Sequence, residues 1–167
     1  MTTFNRRSAL LRANTYAYNS WQIVKQWIKD MVRIEPTIMR KVAKMKFGAM
    51  GSWMEAGGGK IGRCGCLVGS CAIAMVEERN SFVISPAHDT VWVRSQGEEK
   101  GLYVEPYQVV AELAKKQFHD DMVESADAAG MAAYRVTESF EDETEGVELL
   151  KSEILYQLRL RAKRRAK

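Results

Sequence analysis

The densest chemistry in the chain lies between Gly57 and Cys71, GGGKIGRCGCLVGSC, which holds all three cysteines and half of the twelve glycines. The backbone amides of Gly62 to Gly65, flanked by Lys60 and Arg63, have the composition of an anion-binding nest at the start of a following helix. The stretch is not a mononucleotide phosphate loop. That motif needs a glycine five residues before Gly59, where Met54 stands, and Ser or Thr after Lys60, where Ile61 stands. Cys64-x-Cys66-x4-Cys71 offers two further chemistries. As zinc ligands these thiols lack a second knuckle, and Cys66 and Cys71 would diverge by about 140° on one helix. As a nucleophile, Cys64 or Cys66 beside Arg63 at a helix N-terminus would be an activated thiolate. It would also need a histidine, and neither His88 nor His119 has a telling context. The sequence therefore predicts no catalytic residue, no metal site and no cofactor. Lys60, Gly62, Arg63, Cys64, Gly65 and Cys66 stand as candidates for binding an anion or a partner, and Cys71 reads as a small core residue.

The second concentration is of charge. Glu138 to Glu148 is acidic, and the end of the chain is basic through Arg159, Arg161, Lys163, Arg164, Arg165 and Lys167. An acidic start and a basic end complement the dipole of one helix. The same basic residues are also candidates for contacting nucleic acid or an acidic protein, together with Lys41, Lys44 and Lys46. Asp120-Asp121 after His119 reads as a helix N-cap.

The rest of the chain must position these groups. Its 167 residues suit one domain, with 46% apolar and 28% charged residues and a net charge of +4. Three crowded cysteines are no disulfide framework and point to a reducing compartment. Met1 to Arg12 has no apolar signal core, and no apolar run approaches a membrane span.

Trp21, Val24, Ile28 and Met31 make the apolar stripe of a helix starting at Trp21 behind an Asn19 or Ser20 cap. Pro36 starts a second helix that buries Met39, Val42 and Ala43 and ends at Gly48. Cys66 to Val76 is apolar nearly all round, so it reads as a buried central helix, with Gly69 and Ser70 leaving room for a close neighbour. Phe82 to Ser85, Thr90 to Ser95 and Gly101 to Val104 are short strand candidates. Pro106 opens a helix with Tyr107, Val110 and Leu113 inward. Met122, Val123, Ala126, Ala129 and Ala133 form the next, which Gly130 weakens or splits. A last helix from about Thr144 buries Val147, Leu150, Ile154 and Leu158.

The order Phe47, Met50-Gly51-Ser52-Trp53, a glycine-rich gap and Gly65-Cys66-Leu67-Val68-Gly69 resembles a family of small uncharacterised bacterial and bacteriophage proteins. In that family Phe-x-Met-x-x-Trp precedes Cys-Gly-x-x-x-Cys-(Ile/Leu/Ala)-x-Gly, and an amphipathic helix follows, as Pro106 to Phe118 does here. The similarity covers residues 36–118. The family's first cysteine falls at Ile61, with the next glycine kept as Gly62, and one extra residue separates Phe47 from Met50. The resemblance implies a phage-type accessory protein in the cytoplasm of a bacterial host.

The expected architecture is α+β. A mainly helical domain over 18–160 has a buried central helix and a small antiparallel sheet at about 82–104, between a loose segment at 1–17 and a basic tail at 161–167. The expected function is non-enzymatic binding of a host or phage protein, away from any membrane. The alternatives are nucleic-acid binding through the basic C-terminal helix, and a small cysteine-dependent enzyme or metal-binding protein.

Overall fold

A computed structural model describes residues 15–47, 66–79, 82–84, 91–93, 102–104 and 106–166. Among them are six helices: α1 Thr15–Ile34, α2 Pro36–Lys44, α3 Leu67–Arg79, α4 Pro106–Leu113, α5 Met122–Glu138 and α6 Glu143–Arg165. Three strands, β1 Phe82–Ile84, β2 Val91–Val93 and β3 Leu102–Val104, lie between α3 and α4. The strands pair antiparallel in the order β1-β2-β3, with Val83 opposite Trp92 and Trp92 opposite Tyr103.

The α+β expectation is corrected to a helical fold. The extensive packing among the described residues is helix on helix: α1 on α5 and α6, α3 on α4, and α2 on α3 and α6. The strands pack mainly on one another. Three residues per strand offer too little surface to form a layer that a helix could cover.

Local chemistry explains the helices. Trp21, Val24, Ile28 and Met31 are all buried, as the period of α1 predicts. The helix starts before the expected cap, however. Asn19 and Ser20 lie inside it, and Ser20 is buried. Its C-terminus is set by Pro36, because the residue before a proline is driven out of the α region. Glu35 accordingly has φ −132° and ψ 56°, and Pro36 opens α2 after a single-residue break.

α3 is buried at every position from Leu67 to Val76, which matches a segment without a polar face. Gly69 is not where a neighbour comes closest. A Cβ there would meet, among the described residues, only the Cys66 Sγ at 3.5 Å. The close approach is at Gly146 on α6, where a Cβ would lie 2.5 Å from the Thr137 Cα of α5. Gly130 does not split α5, which runs through it with Val68 of α3 packed beside it. Val123, expected inside, is exposed.

One buried charge network ties these helices together. Both carboxylate oxygens of Glu35, which is 1% exposed, accept from Arg79 Nη2 at 2.7 Å. Oε1 also accepts from the Lys115 amide at 2.8 Å, while Arg79 Nη1 donates to the Leu113 carbonyl. A single ion pair thus fastens the α1–α2 corner to the C-terminal ends of α3 and α4. The bidentate geometry and the added amide donor satisfy a carboxylate that burial would otherwise penalise.

Candidate functional site

Of the glycine–cysteine candidates, Lys60, Gly62, Arg63, Cys64 and Gly65 lie outside the described residues, as do Trp53 and His88. Cys66 is half-buried directly before α3. Its Sγ accepts from the Gly69 amide at 3.3 Å, and its carbonyl accepts from the Ser70 amide at 2.8 Å. The thiol therefore takes the place of an N-cap side chain and serves one of the free amides at the helix start. Cys71 is fully buried, with Sγ 3.7 Å from the Met39 Sδ. Burial first, and then the charge of Cys66, push its thiol far above the ordinary range, so it stays protonated and inert. Among the described residues, no three His, Cys, Asp or Glu side chains come together in a way that could hold a metal ion.

The basic candidates fall into two groups that the sequence did not separate. On α6, Arg159, Lys163, Arg164 and Arg165 are exposed and Arg161 is half-buried; Lys167 lies outside the described residues. Arg161 and Arg165 are four residues apart and share one face of the helix. α2 packs against α6 and brings Arg40 to that face. Local desolvation, followed by the charges of Arg165 and Arg40, holds the Arg161 guanidinium below its ordinary value. Lys41, Lys44 and Lys46, the other cations at this end of α2, are exposed. The Lys151 Nζ lies 5.3 Å from the Phe47 ring centre, which fixes the segment after α2 to the flank of α6. Arg40 thus joins Arg161 and Arg165, more than a hundred residues away in sequence, on one cationic face, while Arg159 and Lys163 lie on another side of α6.

The second feature is a groove of about 710 Å³ between α1 and the start of α5. α1 contributes Gln22, Ile23, Gln26 and Trp27; the facing wall carries Asp120, Asp121 and Glu124. Asp121 is the N-cap of α5, and its carboxylate accepts from the Glu124 amide at 2.9 Å. His119 sits at the rim with Nε2 3.8 Å from the Asp30 Oδ2, and Asp30 Oδ1 accepts from Gln26 at 3.3 Å. At the groove, Trp27 is 3% exposed and its indole N–H has no acceptor among the described residues, whereas Ile23 is 48% exposed. Sequence reasoning identified the Asp121 cap but not the groove, because its walls come from segments nearly a hundred residues apart. The exposed Ile23, out of phase with the buried stripe of α1, was the available signal.

Comparison of the chain with family models, with curated proteins and with solved structures returns no match. Among the described residues no helix is long and apolar enough to cross a membrane. The arrangement has two chemical capacities: a face of convergent cations suited to phosphates, and an acidic groove with an apolar side suited to a cationic chain.

Proposed function

We propose that this is a non-enzymatic binding protein whose main partner is a nucleic acid, held through phosphate contacts on the α2–α6 face. The observation that carries this reading is the packing of α2 on α6, which brings Arg40 to the face of Arg161 and Arg165, where desolvation and then these two neighbouring charges disfavour the charge on Arg161. Like charges held together without a partner raise the energy of the free protein, and a polyanion relieves that repulsion. Arginine also presents a planar fork that matches phosphate oxygens. The phage-type setting suggested by the Cys66-Leu67-Val68-Gly69 resemblance fits such an accessory role.

The test is fluorescence anisotropy with labelled duplex DNA, single-stranded DNA and RNA. Arg40→Glu and Arg161→Glu should each weaken binding, although they lie on different helices. Absence of binding by the wild-type protein, or binding by both variants at wild-type strength, would overturn the reading. Protein binding is kept as a second reading because the acidic groove is chemically unsuited to phosphate and suited to a basic segment.

A further inference from the structure

We infer that the acidic groove between α1 and α5 is the docking site for the outer stripe of α6 from a second copy of this chain, so that the protein associates head to tail. The inference does not rest on the nucleic-acid reading, because it uses a different face of α6.

The stripe consists of Leu155, Tyr156, Arg159 and Lys163. Leu155 is 45% exposed and Tyr156 44%, and both are large apolar side chains left in water. Arg159 and Lys163 continue the same side of the helix, and both are exposed. At about 100° per residue, Arg159 lies about 200° from Arg161, so the stripe is distinct from the surface shared with Arg40. The buried side of α6, with Val147, Leu150, Ile154 and Gln157, faces the core.

The groove offers the complement. Asp120 and Glu124 are exposed at its edge, and no salt bridge among the described residues engages either carboxylate. Ile23 presents apolar surface beside them. An incoming helix would set Leu155 and Tyr156 against Ile23 and bring Arg159 and Lys163 to Asp120 and Glu124. Opposite charge selects the partner and its register and contributes to the attraction together with burial of the apolar side chains.

A second copy is the occupant favoured by this charge complementarity. α6 packs on α1, and the stripe lies on the side of α6 opposite its buried face. The contact joins two different surfaces, so it is heterologous and generates a ring or an open chain of subunits.

Sedimentation velocity of the full chain, without nucleic acid and over a concentration series, tests this. At low salt the mean mass should rise with concentration. At about 1 M salt, where screening acts within about 3 Å, association should be sharply weakened. Asp120→Arg with Glu124→Arg should abolish association, as should Arg159→Glu with Lys163→Glu. An equimolar mixture of the two double variants should restore it, because each reversed surface then meets its complement. Tyr156→Ser, which leaves every charge in place, should weaken association at least about tenfold. A wild-type protein that stays at the mass of one chain throughout would overturn the inference and leave the groove to another kind of partner. Association by either double variant alone at wild-type strength, or failure of the mixture to associate while circular dichroism shows both folded, would also overturn it.

Discussion

The chain brings charges together in two places, with opposite outcomes. At the α1–α2 corner, Glu35 and Arg79 form a buried bidentate pair, completed by the Lys115 amide and the Leu113 carbonyl. On the α2–α6 face, Arg40, Arg161 and Arg165 crowd like charges at the surface. Opposite charges largely shielded from water fix the architecture. Like charges left facing solvent do nothing for it, and in the proposed function they are the groups that meet a polyanion. The first arrangement should therefore govern stability, and the second should govern binding.

The largest effect should come from breaking the corner. Arg79→Ala leaves the Glu35 carboxylate buried with the Lys115 amide and no cation, and should cost about 3–5 kcal/mol in urea unfolding. A loss below about 1 kcal/mol would mean that the corner is held by apolar packing alone.

A purely steric change comes next. Gly146→Ala places a Cβ 2.5 Å from the Thr137 Cα and 3.0 Å from its Cβ and Cγ2. It should destabilise by about 1–3 kcal/mol, although alanine is intrinsically the better helix former by about 1 kcal/mol. A stabilised variant would show that α5 and α6 do not cross closely there.

Glu153 is intermediate between the two charged regions: a carboxyl 2% exposed whose Oε1 accepts from the Gln157 amide at 2.9 Å. Burial raises its pKa, and the Gln157 hydrogen bond and the nearby Lys25 offset this only in part. The folded state therefore favours the protonated form. Its contribution to stability is full below the unfolded carboxylate range, near about 4.3, and is lost as pH rises through the higher folded value. Glu153→Gln should match the wild type in acid and exceed it at neutral pH. A pH series of thermal midpoints checks this, and parallel curves for the two proteins would contradict it.

The smallest stability effect belongs to the cationic face. Arg161→Ala should leave the urea midpoint unchanged or slightly higher, since it relieves repulsion from Arg165 and Arg40. A marked fall would show that Arg161 supports the fold.

Periodicity made the helical core legible. α1, α3 and α6 carry their burial in their residue order, from the three- and four-residue returns of Trp21 to Met31 to the nearly all-apolar run after Cys66. The fold class was misread because strand propensity at Phe82 to Val104 says nothing about whether a sheet is long enough to form a layer. The helix-splitting role expected of Gly130 yielded to tertiary packing, which outweighs a propensity difference of about 1 kcal/mol. The Glu35–Arg79 pair and the groove were not legible at all, because each depends on partners far apart in the chain. The basic end was visible as composition, but its union with Arg40 required the packing of α2 on α6.

The central claim is that Arg40 and Arg161 belong to one phosphate-binding surface. The direct measurement is the slope of log K against log salt for duplex and single-stranded nucleic acid, with the wild type, Arg40→Ala, Arg161→Ala and the double variant. Each lost phosphate contact should flatten the slope by about 0.9 for duplex DNA or about 0.7 for single strands. The two single variants should each lose one such step, and the double variant two. Slopes identical to the wild type in all three variants would contradict the account.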